Sequence, residues 1–148
     1  MFKPTLGIIG GGQLGSLLAS AAKDLDVRTV IFCDDINAPG KHFCDEFIFG
    51  DYINETKIKE FCYKVDLITY EFENIPIKTL EYLNNHKKVL PKPKINKIIQ
   101  NRLSEKDFIN KCNLRTTSYN YIDKLDRIKT SSDLIPGLLK TCTLGYDG

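Results

Sequence analysis

No stretch of eighteen apolar residues occurs in this chain of 148, so no membrane span is expected. Its first residues, MFKPTLGIIGGG, hold one lysine, a very short apolar run and no small-residue cleavage site. They read as a first strand and not as a signal peptide, which makes the cytoplasm the expected location. Five cysteines, at positions 33, 44, 62, 112 and 142, include no C-x-x-C pair, and their number is odd. The reading is reduced, mostly buried thiols, with no disulfide framework and no metal finger. His42 and His86 have no Cys or His at ligand spacing, so no zinc site is expected. A G-x-x-x-x-G-K-[ST] phosphate loop is also missing.

Arginine is scarce as well, with four residues against seventeen lysines. Net charge is +2, unevenly spread: residues 1–90 hold 10 Lys/Arg and 13 Asp/Glu, residues 91–148 hold 11 and 6. The basic stretch is densest from Lys87 to Lys111. Aromatics are few there and no nucleic-acid-reading motif appears, so it reads as a solvated face. Hydrophobic content of 42% and charged content of 27% suit a globular domain with a real core.

What is present is an alternation. TLGIIG reads as a buried strand ending at Gly10, and Leu14, Leu17, Leu18, Ala21, Ala22 and Leu25 then recur at helical spacing. VRTVIFC (27–33) is a second strand, INAPGKH (36–42) a loop turning at Pro39-Gly40, and EFIFG (46–50) a short strand. Asn54 is placed to cap a helix carrying Ile58, Phe61 and Cys62. DLITYEF (66–72) is a further strand, and Pro76 suits the first turn of a helix carrying Ile77, Leu80 and Leu83. The order predicts βαβ units and a mostly parallel sheet with helices on both faces. VLPKPKIN (89–96) breaks the alternation, and a domain boundary is placed there. Two helices follow, the second capped by Asn101 or Ser104, then a turn near Asn113. TTSYNYI (116–122) reads as a strand, DKLDRIKTSSDL (123–134) as a polar, helical stretch, and GLLKT (137–141) as an apolar run. Fifty-odd residues past the boundary are too few for a full second domain and read as the start of something larger.

Three groups of residues can carry chemistry. Gly10-x-Gly12-x-x-Gly15 lies between a strand and a helix, where glycines let backbone approach an anion and the helix start offers unpaired N–H groups. Asp34 lies 19 residues past Gly15, where a dinucleotide fold keeps its ribose-binding acid. On these features alone, NAD, another phosphate and a tight turn without ligand all stay open. In YEFENIP (70–76), Glu71 and Glu73 are two apart, so on extended backbone both carboxylates face one side, ready for ribose hydroxyls or an amine. One or both glutamates, Glu73 more readily than Glu71, equally suit the next helix N-terminus as capping or dipole partners. Lys140, at a strand end before a glycine-containing loop, is able to reach phosphates, as is Arg102 near a helix start; each by itself is also an ordinary solvated charge.

In this order, GIIGGGQLG (7–15), YEFENIP (70–76), QNRLSEKDF (100–108) and LLKTCTLGYDG (138–148) resemble the 5-(carboxyamino)imidazole ribonucleotide synthases, ATP-grasp ligases of purine biosynthesis. The resemblance spans essentially the whole chain. It implies an α/β fold: a Rossmann-like, parallel-sheet pre-ATP-grasp domain over 1–92, then linker helices and the incomplete start of an ATP-grasp domain over 93–148. It implies ATP-dependent carboxylation of 5-aminoimidazole ribonucleotide with bicarbonate, through carboxyphosphate, in a homodimeric parent enzyme. By the same resemblance, Gly12, Gln13 and Leu14 hold the ribose phosphate region of the substrate. Glu71 binds the substrate, as the first Glu of the paired motif does in the related glycinamide ribonucleotide transformylase. Arg102 and Lys140 match phosphate-binding residues for ATP. Gly145, Tyr146, Asp147 and Gly148 begin the loop over the phosphates, with Tyr146 and Asp147 the only catalytic candidates.

Departures from the family pattern are Asn101 where Asp is usual, Cys142 where Arg is common, and NLRTTSY in place of a turn with Gly and Pro. The weaker alternatives are another ATP-grasp enzyme on a phosphoribosyl substrate and a nicotinamide dehydrogenase domain. The dehydrogenase explains the first turn and Asp34 but not Arg102, Lys140 or GYDG. The resemblance puts the Mg2+ carboxylates and the adenine pocket beyond residue 148, so the 148-residue chain alone is expected to be inactive. Measurable ATP-dependent carboxylation of aminoimidazole ribonucleotide by the purified chain overturns that expectation.

Overall fold

A computed structural model describes residues 3–129 and 132–144, and the chain divides into two compact units, Met1–Lys97 and Ile98–Gly148. In the first unit five strands form one parallel sheet: β1 (Thr5–Ile9), β2 (Arg28–Cys33), β3 (Glu46–Phe49), β4 (Leu67–Tyr70) and β5 (Lys88–Val89). Their spatial order is β3-β2-β1-β4-β5. The chain thus winds outward from β1 in one direction to β3, then returns beside β1 with β4. This reversal between β1 and β4 is the topological switch point, the place where open parallel sheets generally bind ligands.

The strands are continuous apolar runs because both faces are covered. Ile8, Ile31 and Cys33 point to one face with Ala19 of α1 (Gln13–Asp24) and Ala38. Ile9, Val30, Phe32 and Ile68 point to the other, against Ile58 and Phe61 of α2 (Glu55–Lys64) and Leu80 and Leu83 of α3 (Ile77–His86). Phe32 meets Phe61 at 5.6 Å and Tyr52 edge-on at 5.4 Å between ring centroids. Asn54 caps α2, accepting from the Lys57 N–H at 3.1 Å. Pro76 stands one position before α3, at its N-cap.

Helix α1 follows the glycine turn, as the leucine spacing predicts, yet the leucines do not face the sheet. Gly15, Ser16, Ala19 and Ala22 are buried, whereas Leu14, Leu17, Leu18 and Leu25 are exposed. Small side chains bring the helix close to the sheet; at Gly15 an added Cβ would lie 2.5 Å from the Gly10 carbonyl oxygen.

The boundary stretch VLPKPKIN yields an element the pattern concealed. Lys88 and Val89 add a two-residue edge strand to β4 before α4 (Pro93–Ile99). The second unit contains α5 (Arg102–Lys111), capped by Asn101, whose side chain accepts from the Ser104 N–H at 3.0 Å. Asn113 ends it with a positive φ of 60°. The stretches 116–122 and 137–141 are not strands, a correction to the sequence reading. Among the described residues the second unit offers no strand for either to pair with, and an unpaired strand does not hold itself together. Instead 116–119 is tied to α5 by side chains. The Lys106 Nζ donates to Thr117 Oγ1 at 2.8 Å, and the Tyr119 hydroxyl to Asp107 Oδ1 at 2.6 Å. Within 123–134, only Asp126–Lys129 (α6) and a short 3-10 turn at Ser132–Leu134 are helical among the described residues. Of the five thiols, Cys33 and Cys62 are buried, Cys44 and Cys142 half-buried and Cys112 exposed, so fewer are enclosed than expected.

Phe61→Ala should cost about 3–5 kcal/mol and Ala19→Leu about 1–3 kcal/mol from overpacking. Leu17→Ala should stay within about 0.5 kcal/mol. Urea denaturation midpoints check all three; a large loss at Leu17 contradicts the observed face of α1. Burial, reinforced by Cys33 Sγ 3.7 Å from the hydroxyl, pushes the Tyr52 phenol above its ordinary range. The folded state therefore holds that proton longer than the unfolded chain, which releases it near pH ~10. The stabilisation is complete below that pH and declines as pH rises through it. Absorbance at the phenolate band should show Tyr52 silent until the chain unfolds.

Candidate functional site

The glycine turn leaves β1 at the switch point. Gly10 takes a φ of 100°, open to glycine at little cost, and its N–H continues the ladder to the Phe32 carbonyl at 2.9 Å. Gly12 is the N-cap residue of α1, and no side chain of the turn caps the helix. The cap comes from 59 residues away. Glu71 follows the last residue of β4, its own N–H bonded to the Ile9 carbonyl at 3.1 Å, and its Oε1 accepts from the Gly12 N–H at 2.8 Å. An anion thus rests at the positive end of α1. The fit is tight: a Cβ on Gly10 would stand 2.4 Å from Glu71 Cγ, and one on Gly12 2.9 Å from Glu71 Oε1. The Gly12 amide, a donor that a bound phosphate would use, is given to this carboxylate.

Gln13 and Leu14, the first residues of α1, are exposed beside this bond. Beyond Tyr70 the backbone turns instead of extending, so Glu71 and Glu73 are not held to one side by strand alternation. The Glu73 carbonyl accepts from Asn96 Nδ2 at 2.9 Å, a partner that spacing did not reveal. Asp34 is exposed after the end of β2. Between it and the turn, however, the chain packs on itself: the Gly40 N–H donates to the Gly11 carbonyl at 2.8 Å, and a Cβ on Gly11 would lie 2.9 Å from Ala38 Cβ. Pro39-Gly40 does more than turn the chain: it seats the β2–β3 connection against the glycine loop.

In the second unit, Arg102 is the first residue of α5, and its N–H donates to the Cys142 carbonyl at 2.8 Å. The helix start is thereby brought to the segment carrying Lys140, whose side chain is exposed. An open concavity lined by Asn110 and residues 113–119 includes neither cation. Gly145, Tyr146, Asp147 and Gly148 lie outside the described residues.

Known proteins share the sequence and the fold of this chain. Residues 3–100 match the ribonucleotide synthetase preATP-grasp domain. The chain is 37% identical over 146 residues to the bifunctional purine synthesis protein purC/E of Dictyostelium discoideum, covering 97% of this chain and 15% of that protein. It is 35% identical over 146 residues to the N5-carboxyaminoimidazole ribonucleotide synthase of Brucella melitensis, covering 97% and 40%. Among solved structures, the ADP complex of an N5-carboxyaminoimidazole ribonucleotide synthetase superposes with a TM-score of 0.92 at 32% identity, covering 100% of this chain and 40% of the other. The chain therefore spans less than half the length of these relatives. With its 3-2-1-4-5 parallel sheet and its glycine turn at the switch point, the chain belongs to the ribonucleotide synthetase preATP-grasp domain family.

Proposed function

We propose that the chain supplies the ribonucleotide-binding elements and the first ATP-binding elements of a ligase that carboxylates 5-aminoimidazole ribonucleotide with bicarbonate, using ATP. The reading divides the chain into a pre-ATP-grasp domain at 1–92 and the opening of an ATP-grasp domain at 93–148. One observation carries it: the Glu71 carboxylate on the Gly12 amide, at the switch point between β1 and β4. A carboxylate repels a pyrophosphate, and the Ala38–Gly40 segment packs on Gly11, so an NAD reading of the turn loses both its donor and its room. The remaining lone pairs of Glu71 suit hydroxyl donors, such as those of a ribose. Gln13, exposed at the helix start beside Gly12 and Leu14, adds an amide able to pair with the same ligand.

Phosphoryl transfer calls for positioned cations and N–H donors more than for a covalent nucleophile. Arg102 and Lys140 supply cations for the ATP phosphates, and Gly145–Gly148, with Tyr146 and Asp147, would close over them. The solved relative in complex with ADP supports nucleotide binding. A bicarbonate oxygen attacks the γ-phosphorus of ATP and ADP leaves, giving carboxyphosphate; the exocyclic amine of the ribonucleotide then attacks its carbon, inorganic phosphate leaves, and the nitrogen gives up one proton. Among the described residues no three His, Cys, Asp or Glu side chains gather as metal ligands, so no step is assigned to Mg2+ on them. The reading leaves metal ligation to the part of the relatives this chain does not span. A homodimeric parent and a cytoplasmic setting complete it.

Calorimetric titration of the chain with aminoimidazole ribonucleotide and with NADH tests the proposal. The ribonucleotide should bind and NADH should not. Glu71→Gln should weaken the ribonucleotide by roughly 1.5–3 kcal/mol, the scale of a hydrogen bond to a charged group. NADH binding without ribonucleotide binding would sink it.

A further inference from the structure

Helix α4 docks the wrong way round for an amphipathic element. Ile95 and Ile99 are 45% and 39% exposed, yet Asn96 between them is 0% exposed. Only Pro93 and Asn96 of this helix are buried. Burying an amide is costly unless its polar atoms are paired, so an asparagine at that depth, beside exposed isoleucines, calls for a specific partner. That partner is the Glu73 carbonyl, which accepts from Asn96 Nδ2 at 2.9 Å. The other end, Asn96 Oδ1, is buried without a hydrogen bond, so the position is held despite a cost.

The Glu73 carbonyl lies midway along the short connection from β4 to α3. That connection is anchored at its start by the Glu71 N–H on the Ile9 carbonyl and near its end by Ile75, which is fully buried. Asn96 adds a third anchor between them, two residues from Glu71. We infer that Asn96 is a positioning residue: through the Glu73 carbonyl it fixes the course of residues 71–75, and so holds the Glu71 carboxylate on the Gly12 amide. It touches no substrate itself. Its effect on ligand affinity, but not its effect on the Glu71–Gly12 bond, rests on the ribonucleotide reading above.

The experiment uses the whole 148-residue chain, labelled with 15N, carrying Asn96→Leu, which keeps the shape and removes the donor, or Asn96→Ala. Glu71→Ala, which deletes the acceptor, provides the reference spectrum. The Gly12 amide proton should move in both Asn96 variants in the same direction as in Glu71→Ala. Its hydrogen exchange should quicken by roughly tenfold, the scale of one net hydrogen bond. Exchange at Ile8, Ile31 and Phe32 in the sheet should stay within about twofold of wild type, since those amides lie in the ladder and not on the connection. Ribonucleotide affinity should fall with the Gly12 change. An unmoved Gly12 resonance overturns the inference. So does equal acceleration at Gly12 and in the sheet, or failure of both variants to fold, because each makes Asn96 a general contributor to stability. If wild type binds no ribonucleotide, the substrate reading falls, and Gly12 exchange still decides the role of Asn96.

Discussion

The rest of the first unit is arranged around a carboxylate on a backbone amide. Glu71 Oε1 on the Gly12 N–H joins the two connections that diverge at the switch point, one from β1 and one from β4. A helix start needs acceptors for its first N–H groups, and here none comes from the turn's own side chains. The glycines make the remote cap possible. With a side chain at Gly10 or Gly12 the Glu71 carboxylate would have no room, and with one at Gly15 the helix would collide with the Gly10 carbonyl. The three glycines of the turn are thus tied to a residue 59 positions away.

This constraint explains why α1 turns its leucines outward. The helix starts at a turn pressed against Glu71 and runs close over β1 and β2, so its inner face must be Gly15, Ser16, Ala19 and Ala22. Hydrophobic periodicity reports that a helix exists, because any apolar stripe at a 3.6-residue period does so. Which stripe faces the sheet is decided by the clearance available, and clearance is a tertiary quantity. In α4 the same principle is overridden by a hydrogen bond, with Asn96 inside and the isoleucines out.

The βαβ alternation up to Tyr70, the Asn54 and Asn101 caps and the helix after Pro76 were legible because each rests on neighbouring residues. Edge strand β5 was not, since two residues beside two prolines carry no period. The expected strands at 116–122 and 137–141 failed for the opposite reason. Their β-branched and apolar residues mark a preference, but a strand exists only beside a partner, and among the described residues of the second unit none is present. Of the candidate site, the glycine turn and Glu71 were each legible as separate motifs. That they form one contact was not, because nothing local in either motif encodes a bond between residues 12 and 71.

The glycine spacing is degenerate in its chemistry. A turn that must let a phosphate approach its amides and a turn that must let a carboxylate approach them need the same small residues, the same strand before and the same helix after. What separates the two is the charge already in place. Once Glu71 has taken the Gly12 donor, a second anion brought to that amide meets repulsion at hydrogen-bond range, whereas a hydroxyl meets an acceptor. At this switch point the charge already in place, and not the glycine spacing, is what distinguishes one kind of turn from the other.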